Sequence, residues 1–412
     1  MHDLKTALTG YFKKDVLLFL GLGLSCGAPL NLLAKTLSIW TTERGIDLKT
    51  IGLFSLILLP YSLRFLWAPL VDRFDLPLLA RLGRKKAWGV VFQLGLMTAL
   101  FCIALLDPAH QIKALFFCCL TAAFFAASQD IVVDALRIDT LTGDRLKEGS
   151  ALYQFGYRMG LLLTGAGVIA LSTYVPWGVC YFLSTALVVV GFFCLLGIQE
   201  PTAPAQSVTF RNGVLAPFAD FMKRRHWALL VLFIILYKVC NAVLGRMADP
   251  FYLSNGFSKN EIALVSGAIG PWITMAGVIA GGFLMVRLNY NKSLLLLGLF
   301  EIFTSFAFAL LAWAGPSLSL FLAVIVFDNI IGGMGGAVFV AFLSALCSKA
   351  YSATQYALLS SLTMFSVSVV ASQSGVLAQA LGWEAFFILT GFLMLPALGL
   401  LLYLMKETTD ER

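Results

Sequence analysis

Asp130 and Asp134 stand four residues apart in a stretch that is otherwise apolar, with Ser128 and Gln129 just before them. On a helix this spacing stacks the two carboxylates on one face, about one turn apart. Carboxylates held that close titrate as a pair, and one of them can keep a proton that the other gives up. The chemistry on offer is therefore proton capture and release, or a grip on fixed cations. The other groups of this kind are Arg64, Arg158, Lys35, Tyr237, Lys238, Asn241, Glu301, Asp328 and Asn329, each in an apolar run. His2, His110 and His226 fall at expected ends or loops, and the eight cysteines form no CxxC pair. An intramembrane metal site or a histidine-based catalytic pair is not expected, nor is a cofactor.

The elements that hold these groups must be membrane helices. The chain is 59% hydrophobic and 12% charged, with a mean hydropathy of +0.88, which excludes a soluble globule. About twelve apolar stretches, each near the ~20 residues of a spanning helix, follow one another with mostly short loops. The net charge of +7 does not point to nucleic acid, because the basic residues sit between the spans. Alternate loops carry them: 71–86, 137–149 and 200–226 hold Arg73, Arg81, Arg84, Lys85, Lys86, Arg137, Arg145, Lys147, Arg211, Lys223, Arg224 and Arg225. The positive-inside rule then places those loops and both termini in the cytoplasm. The polar start, Met1 to Asp15, leads into a full-length span with no cleavage pattern, so the first helix is expected to stay in the protein.

Glu200-Pro201-Thr202-Ala203-Pro204 opens the longest polar connection. It divides the chain into an N-terminal bundle (1–199), a cytoplasmic linker (200–226) and a C-terminal bundle (227–412). Two landmarks repeat across it at nearly equal spacing. Gly45-Ile46-Asp47 with Ile51, Leu53 and Ser55 matches Gly256-Phe257-Ser258 with Ile262, Leu264 and Ser266, and Trp177 with Tyr181-Phe182-Leu183-Ser184 matches Trp383 with Phe387-Ile388-Leu389-Thr390. Duplicated six-helix halves indicate a transporter with its site at the repeat interface.

Depth along the helices sorts the polar residues. Arg64, Asp130 and Arg158 lie about six to eight residues from their cytoplasmic ends, within a few ångström of one level at ~1.5 Å per residue. This predicts an inner cluster of Arg64, Asp130, Asp134 and Arg158, acting as a proton switch or a structural ion pair. Lys35, Lys238 and Asp328-Asn329 lie nearer the middle or outer half; each half puts a lysine on its first helix and an aspartate on its fourth, and the lysine pair suits an anionic substrate. Gly27-Ala28-Pro29 and Gly332-Gly333-Met334-Gly335-Gly336 read as close packing or as local unwinding beside Asp328. Asp72, Arg73, Arg84 and Lys85 read as a solvated anchor or a conformational latch. A membrane enzyme acting on lipid-linked glycans would need a catalytic cluster at a water interface, which these short loops lack, and a receptor would leave the matched halves without a purpose.

Trp67-Ala68-Pro69-Leu70-Val71-Asp72-Arg73, Ala127-Ser128-Gln129-Asp130-Ile131-Val132-Val133-Asp134-Ala135, Gly332-Gly333-Met334-Gly335 and Ser352-Ala353-Thr354-Gln355-Tyr356-Ala357-Leu358-Leu359-Ser360 closely resemble the AmpG muropeptide permeases of the major facilitator superfamily. Ile46 to Gly52 and Leu236-Tyr237-Lys238 extend the resemblance over nearly the whole chain. It implies an all-α integral membrane fold of two pseudo-symmetric six-helix bundles working by alternating access. It also implies proton-driven import of GlcNAc-1,6-anhydro-MurNAc and its peptide forms across the bacterial inner membrane, for wall recycling linked to β-lactam resistance. An importer of another anion, such as a siderophore or acetyl-coenzyme A, is the alternative. Under the main reading Lys35 and Lys238 meet substrate carboxylates, Gln129, Tyr237, Asn241 and Asn329 serve sugar hydroxyls and acetamido groups, and the partners are the muropeptide and the bilayer, with a monomer expected. The family commonly has an acidic residue where this chain has Asn241, and the end at Arg412 leaves the standard twelve helices.

Overall fold

In the computed structural model the described residues are 13–46, 54–201, 210–371 and 374–410, and among them there is no strand. In chain order the helices are α1 (Lys14–Glu43), α2 (Leu56–Leu66), α3 (Ala68–Arg73), α4 (Arg84–Ala104), α5 (Pro108–Thr140), α6 (Asp144–Leu162), α7 (Trp177–Gly197), α8 (Phe210–Met222), α9 (Trp227–Ser254), α10 (Asn260–Arg287), α11 (Tyr290–Ala314), α12 (Leu318–Leu346), α13 (Ser352–Ala371) and α14 (Trp383–Lys406). Nine of them, all but α2, α3, α6, α8 and α13, are long and apolar enough to cross a membrane among the described residues. The second span is split into α2 and α3 by short 3₁₀ turns around Pro60 and Pro69, each of which removes a backbone donor. α6 carries Arg145, Lys147, Glu148 and Arg158, which lower its apolar content.

The helices gather into two compact units. The first is Met1–Phe218 together with Ser344–Ser361; the second is Ala219–Leu343 together with Leu362–Arg412. Segment 344–361 thus packs with the first unit although its chain neighbours on both sides belong to the second. Part of the expected linker, 202–209, and part of the first repeat landmark, 47–53, lie outside the described residues.

Within the first unit, α1 and α6 meet along a seam of glycines. A Cβ on Gly23 or Gly27 would run into the carbonyls of Tyr153 or Tyr157, and one on Gly156 or Gly160 into those of Leu20 or Leu24. Lipid is as apolar as leucine, so close backbone approach and dispersion hold such helices together better than burial does. Pro29 leaves α1 short of one donor, and the helix widens into a π turn at Leu32–Thr36. α6 does the same just beyond its end, at Leu163–Gly167, and the two turns are tied by Thr36 Oγ1 donating to the Thr164 carbonyl at 2.7 Å. The glycine run of α12 stays regular helix instead: Gly333 lets the backbone at Thr274 of α10 come close, which is the packing role. At the start of α5, the Asp107 carboxylate caps the Ala109 amide and is bonded by His110, and these bonds, with Arg44 near, hold its carboxyl below the usual range.

The duplication shows in how each unit uses its landmarks. In the first, Trp40 of α1 stacks on Trp177 at 6.2 Å and on Tyr181 at 5.1 Å; in the second, Phe251 of α9 meets Trp383 at 5.4 Å and Phe387 at 4.8 Å. Just past these aromatics both first helices stop at a glycine with positive φ, Gly45 (74°) and Gly256 (94°), a conformation that side-chain-bearing residues avoid.

Gly156→Leu should lower the thermal midpoint of the purified protein, because overpacking against a rigid backbone costs about 1–3 kcal/mol. Gly245→Leu, on a part of α9 where a Cβ meets nothing within 4 Å, should leave the midpoint near wild type.

Candidate functional site

The first unit brings Arg64 of α2 onto both aspartates of α5. Its Nη1 lies 3.4 Å from Asp130 Oδ2 and 3.8 Å from Asp134 Oδ2. The second cation of the cluster is Arg137, whose Nη2 is 2.9 Å from Asp134 Oδ1. Arg158, expected there from its depth, makes no ion pair among the described residues, and its buried Nε has no hydrogen-bond partner. The reason is helical phase. Arg137 follows Asp134 by three residues and so shares its face of α5, which runs on to Thr140 and takes Arg137 out of the loop expected at 137–149. It is fully buried, with its guanidinium over the rings of Tyr153 (4.4 Å) and Tyr356 (5.2 Å).

The cluster is balanced in charge but not saturated. Asp130 Oδ1 has no hydrogen-bond partner, and Arg64 is shared between two carboxylates. Both arginines also reach segment 344–361: Arg64 Nη2 bonds Ser360 Oγ at 2.5 Å and Arg137 Nη2 bonds Ser344 Oγ at 3.1 Å. Gln129, expected to reach a sugar, is buried and spends its amide N–H groups on Ser25 Oγ (2.9 Å) and Cys26 Sγ (3.2 Å).

A second polar knot grips the same segment. Lys85, almost fully buried, lies 2.6 Å from Asp139 and 3.3 Å from Asp72, and donates to Ser352 Oγ at 2.6 Å. Asp72 accepts from the Ala353 and Thr354 amides (3.2 and 2.8 Å) and from Thr354 Oγ1 (2.7 Å), so it caps the N-terminus of α13. Arg73 lies over the Tyr351 ring at 4.5 Å. Arg84 makes no ion pair among the described residues. Asp139 and Glu200 were not singled out in the sequence; Glu200 accepts from the Lys85 and Lys86 amides and so caps α4.

Lys35 of the first unit is exposed and lines a cavity of about 290 Å³ with Leu33, Thr41, Phe54 and Leu58. In the second unit Lys238, Asn241 and Asp328 are half-buried. The Lys238 ammonium lies 4.6 Å from the centre of the Phe339 ring, and Asn241 Nδ2 donates to Glu301 Oε1 at 2.8 Å. Tyr237 and Asn329 are engaged inside the unit: Tyr237 is fully buried with its hydroxyl on the Leu294 carbonyl (3.1 Å), and Asn329 donates to Ile325 O while accepting from Thr274 Oγ1.

Residues 17–372 match the family described as Major Facilitator Superfamily. The transporter AmpG 4 of Rickettsia felis is 36% identical over 94% of this chain and 95% of its own length. The anhydromuropeptide permease of Escherichia coli is 36% identical over 92% of this chain and 78% of its own. The chain belongs to the AmpG family of the major facilitator superfamily. A solved structure of the E. coli fucose:proton symporter FucP shares the fold at a TM-score of 0.70, with 12% identity over 96% of this chain and 99% of that one. AmpG-family membership makes this a multi-pass membrane transporter, and Asp130, Asp134 and Arg137 of α5, Lys238 and Asn241 of α9 and Asp328 of α12 lie on helices long and apolar enough to cross a membrane.

Arg137→Gln should cost about 3–5 kcal/mol of stability, since it strips a buried carboxylate of its nearest cation. Arg158→Gln breaks no ion pair among the described residues and should cost much less. Denaturation midpoints of the two variants in one detergent compare them directly.

Proposed function

We propose that the protein imports anhydro-muropeptides, GlcNAc-1,6-anhydro-MurNAc and its peptide forms, across the bacterial inner membrane in symport with protons, by alternating access and with both termini in the cytoplasm. The observation that carries this reading is 36% identity to the E. coli anhydromuropeptide permease over 92% of this chain and 78% of that one, and the buried charged cluster on the helices of the first unit supports it.

The first unit's ion network is the coupling element. While both aspartates are ionised they fix Arg64 and Arg137, whose other N–H groups hold Ser360 and Ser344. Protonation at the Asp130/Asp134 pair removes one charge from this arrangement, frees an arginine, and weakens the grip on segment 344–361. The Asp72–Lys85–Asp139 knot then acts as the latch on the same segment, with Arg73 stacking beside it. Substrate and proton shift the balance between inward- and outward-open states only by the difference in their affinity for the two. Lys35 and Lys238 are assigned to the muramyl-peptide carboxylates, with Asn241 and Asp328 available to hydroxyl and acetamido groups.

Uptake of labelled anhydro-disaccharide into vesicles, with and without an imposed pH gradient, tests the reading; no uptake under either condition would sink it. Asp130→Asn should lose stimulation by the gradient, and an unchanged pH dependence in that variant would remove the coupling role. Lys35→Ala and Lys238→Ala should each weaken binding of a peptide-bearing muropeptide about tenfold or more, the size expected for a charge-assisted hydrogen bond of about 1.5–3 kcal/mol. Competition with a siderophore and with acetyl-coenzyme A in the same assay separates the alternative substrates.

A further inference from the structure

Glu301 is the one acidic side chain of α11, and the coupling scheme above makes no use of it. It is 4% exposed and faces the second unit's interior. One oxygen, Oε1, takes the Asn241 N–H at 2.8 Å; the other, Oε2, is covered and has no hydrogen-bond partner. Glu301 makes no ion pair among the described residues. The titratable groups that face it are Lys238, Tyr237 and Cys240 of α9 and Asp328 of α12. Lys238 sets its ammonium against the Phe339 ring, and the Tyr237 hydroxyl is bound to a carbonyl elsewhere.

The packing has kept space for this side chain. Gly335 of α12 stands opposite, and a Cβ there would lie 3.2 Å from Oε1. An ionised carboxylate with one oxygen bare in a low-dielectric interior is costly, whereas the neutral acid leaves one acceptor oxygen for Asn241 and a hydroxyl on the other. The covered oxygen is too enclosed for a sugar hydroxyl or a peptide amine. A proton fits.

We propose that Glu301 is a proton-binding site of the second unit, with Asn241 as the positioning residue that holds the carboxyl in place. The site is separate in sequence and in unit from the Asp130/Asp134 pair, so the protein carries two proton-binding stations, one in each half. Asn241 and Glu301 being in direct contact, the acid can be moved from one side of the hydrogen bond to the other without changing the site's shape by more than a methylene.

Infrared difference spectra of the reconstituted protein, titrated through neutral pH, read the proton itself and do not depend on which solute is carried. Wild type should show the C=O stretch of a protonated carboxyl at neutral pH. Glu301→Gln should lose it, Asp328→Asn should keep it, and Asn241→Asp/Glu301→Gln should regain it. Identical spectra for wild type and Glu301→Gln, or loss of the band in Asp328→Asn alone, would overturn the assignment. Should Glu301→Gln fail to give a monodisperse protein, Glu301→Asp decides: the band should move to the aspartic-acid position, and an unmoved band counts against Glu301.

Discussion

Two carboxylates one turn apart in a low-dielectric helix cannot both stay ionised without cations at hand, and that constraint organises the first unit. Arg64 and Arg137 meet it from two directions. One comes from the broken second span, the other from the same face of α5, and together they balance the charge while leaving an oxygen of Asp130 unbonded. A shared arginine and a bare oxygen leave the network short of full satisfaction, which is costly in a low-dielectric interior. The cations offset the cost of keeping the carboxylates in a membrane protein, and the same two arginines bond the serines of segment 344–361.

Around that network the helices are held by close contact. The glycine seam between α1 and α6 brings their backbones together where lipid offers no hydrophobic advantage to association. The two π turns lie at the end of the seam and are tied by Thr36 Oγ1 donating to the Thr164 carbonyl. In the second unit the same closeness appears between α10 and α12, where Gly277 and Gly333 admit the neighbouring backbone, and Gly335 leaves room for Glu301. Glycines that read as a helix-breaking signal are thus spent on packing, since an internal helix can keep its hydrogen bonds and still use the missing Cβ.

The polar residues divide by whether their bonds are met inside one unit. Gln129 bonds Ser25 and Cys26 in the first unit, while Tyr237 bonds the Leu294 carbonyl and Asn329 the Ile325 carbonyl in the second, which makes them part of the scaffold of their own unit. Lys35 stays exposed on the wall of a cavity, and Lys238 and Asp328 stay half-buried, Lys238 against the Phe339 ring. Lys85 shows the opposite outcome for a charge read as part of a basic anchor: between Asp72 and Asp139 it is among the most buried cations of the chain.

Composition and spacing alone determined that this chain is a membrane-spanning bundle of helices, that it is duplicated, and that Asp130 and Asp134 share a face, because each depends only on periodicity and on the cost of charge in lipid. The aromatic landmarks and the resemblance carried by Trp67 to Arg73 and Ser128 to Asp134 were legible for the same reason, being local. What only the tertiary structure decided was which cation answers which carboxylate. Depth along a helix says nothing of azimuth: Arg64 reaches both aspartates from another helix, whereas Arg158 makes no ion pair among the described residues. Assignment of segment 344–361 to the first unit, and of Glu301 to Asn241, likewise rests on contacts between residues far apart in the chain, which no local pattern encodes.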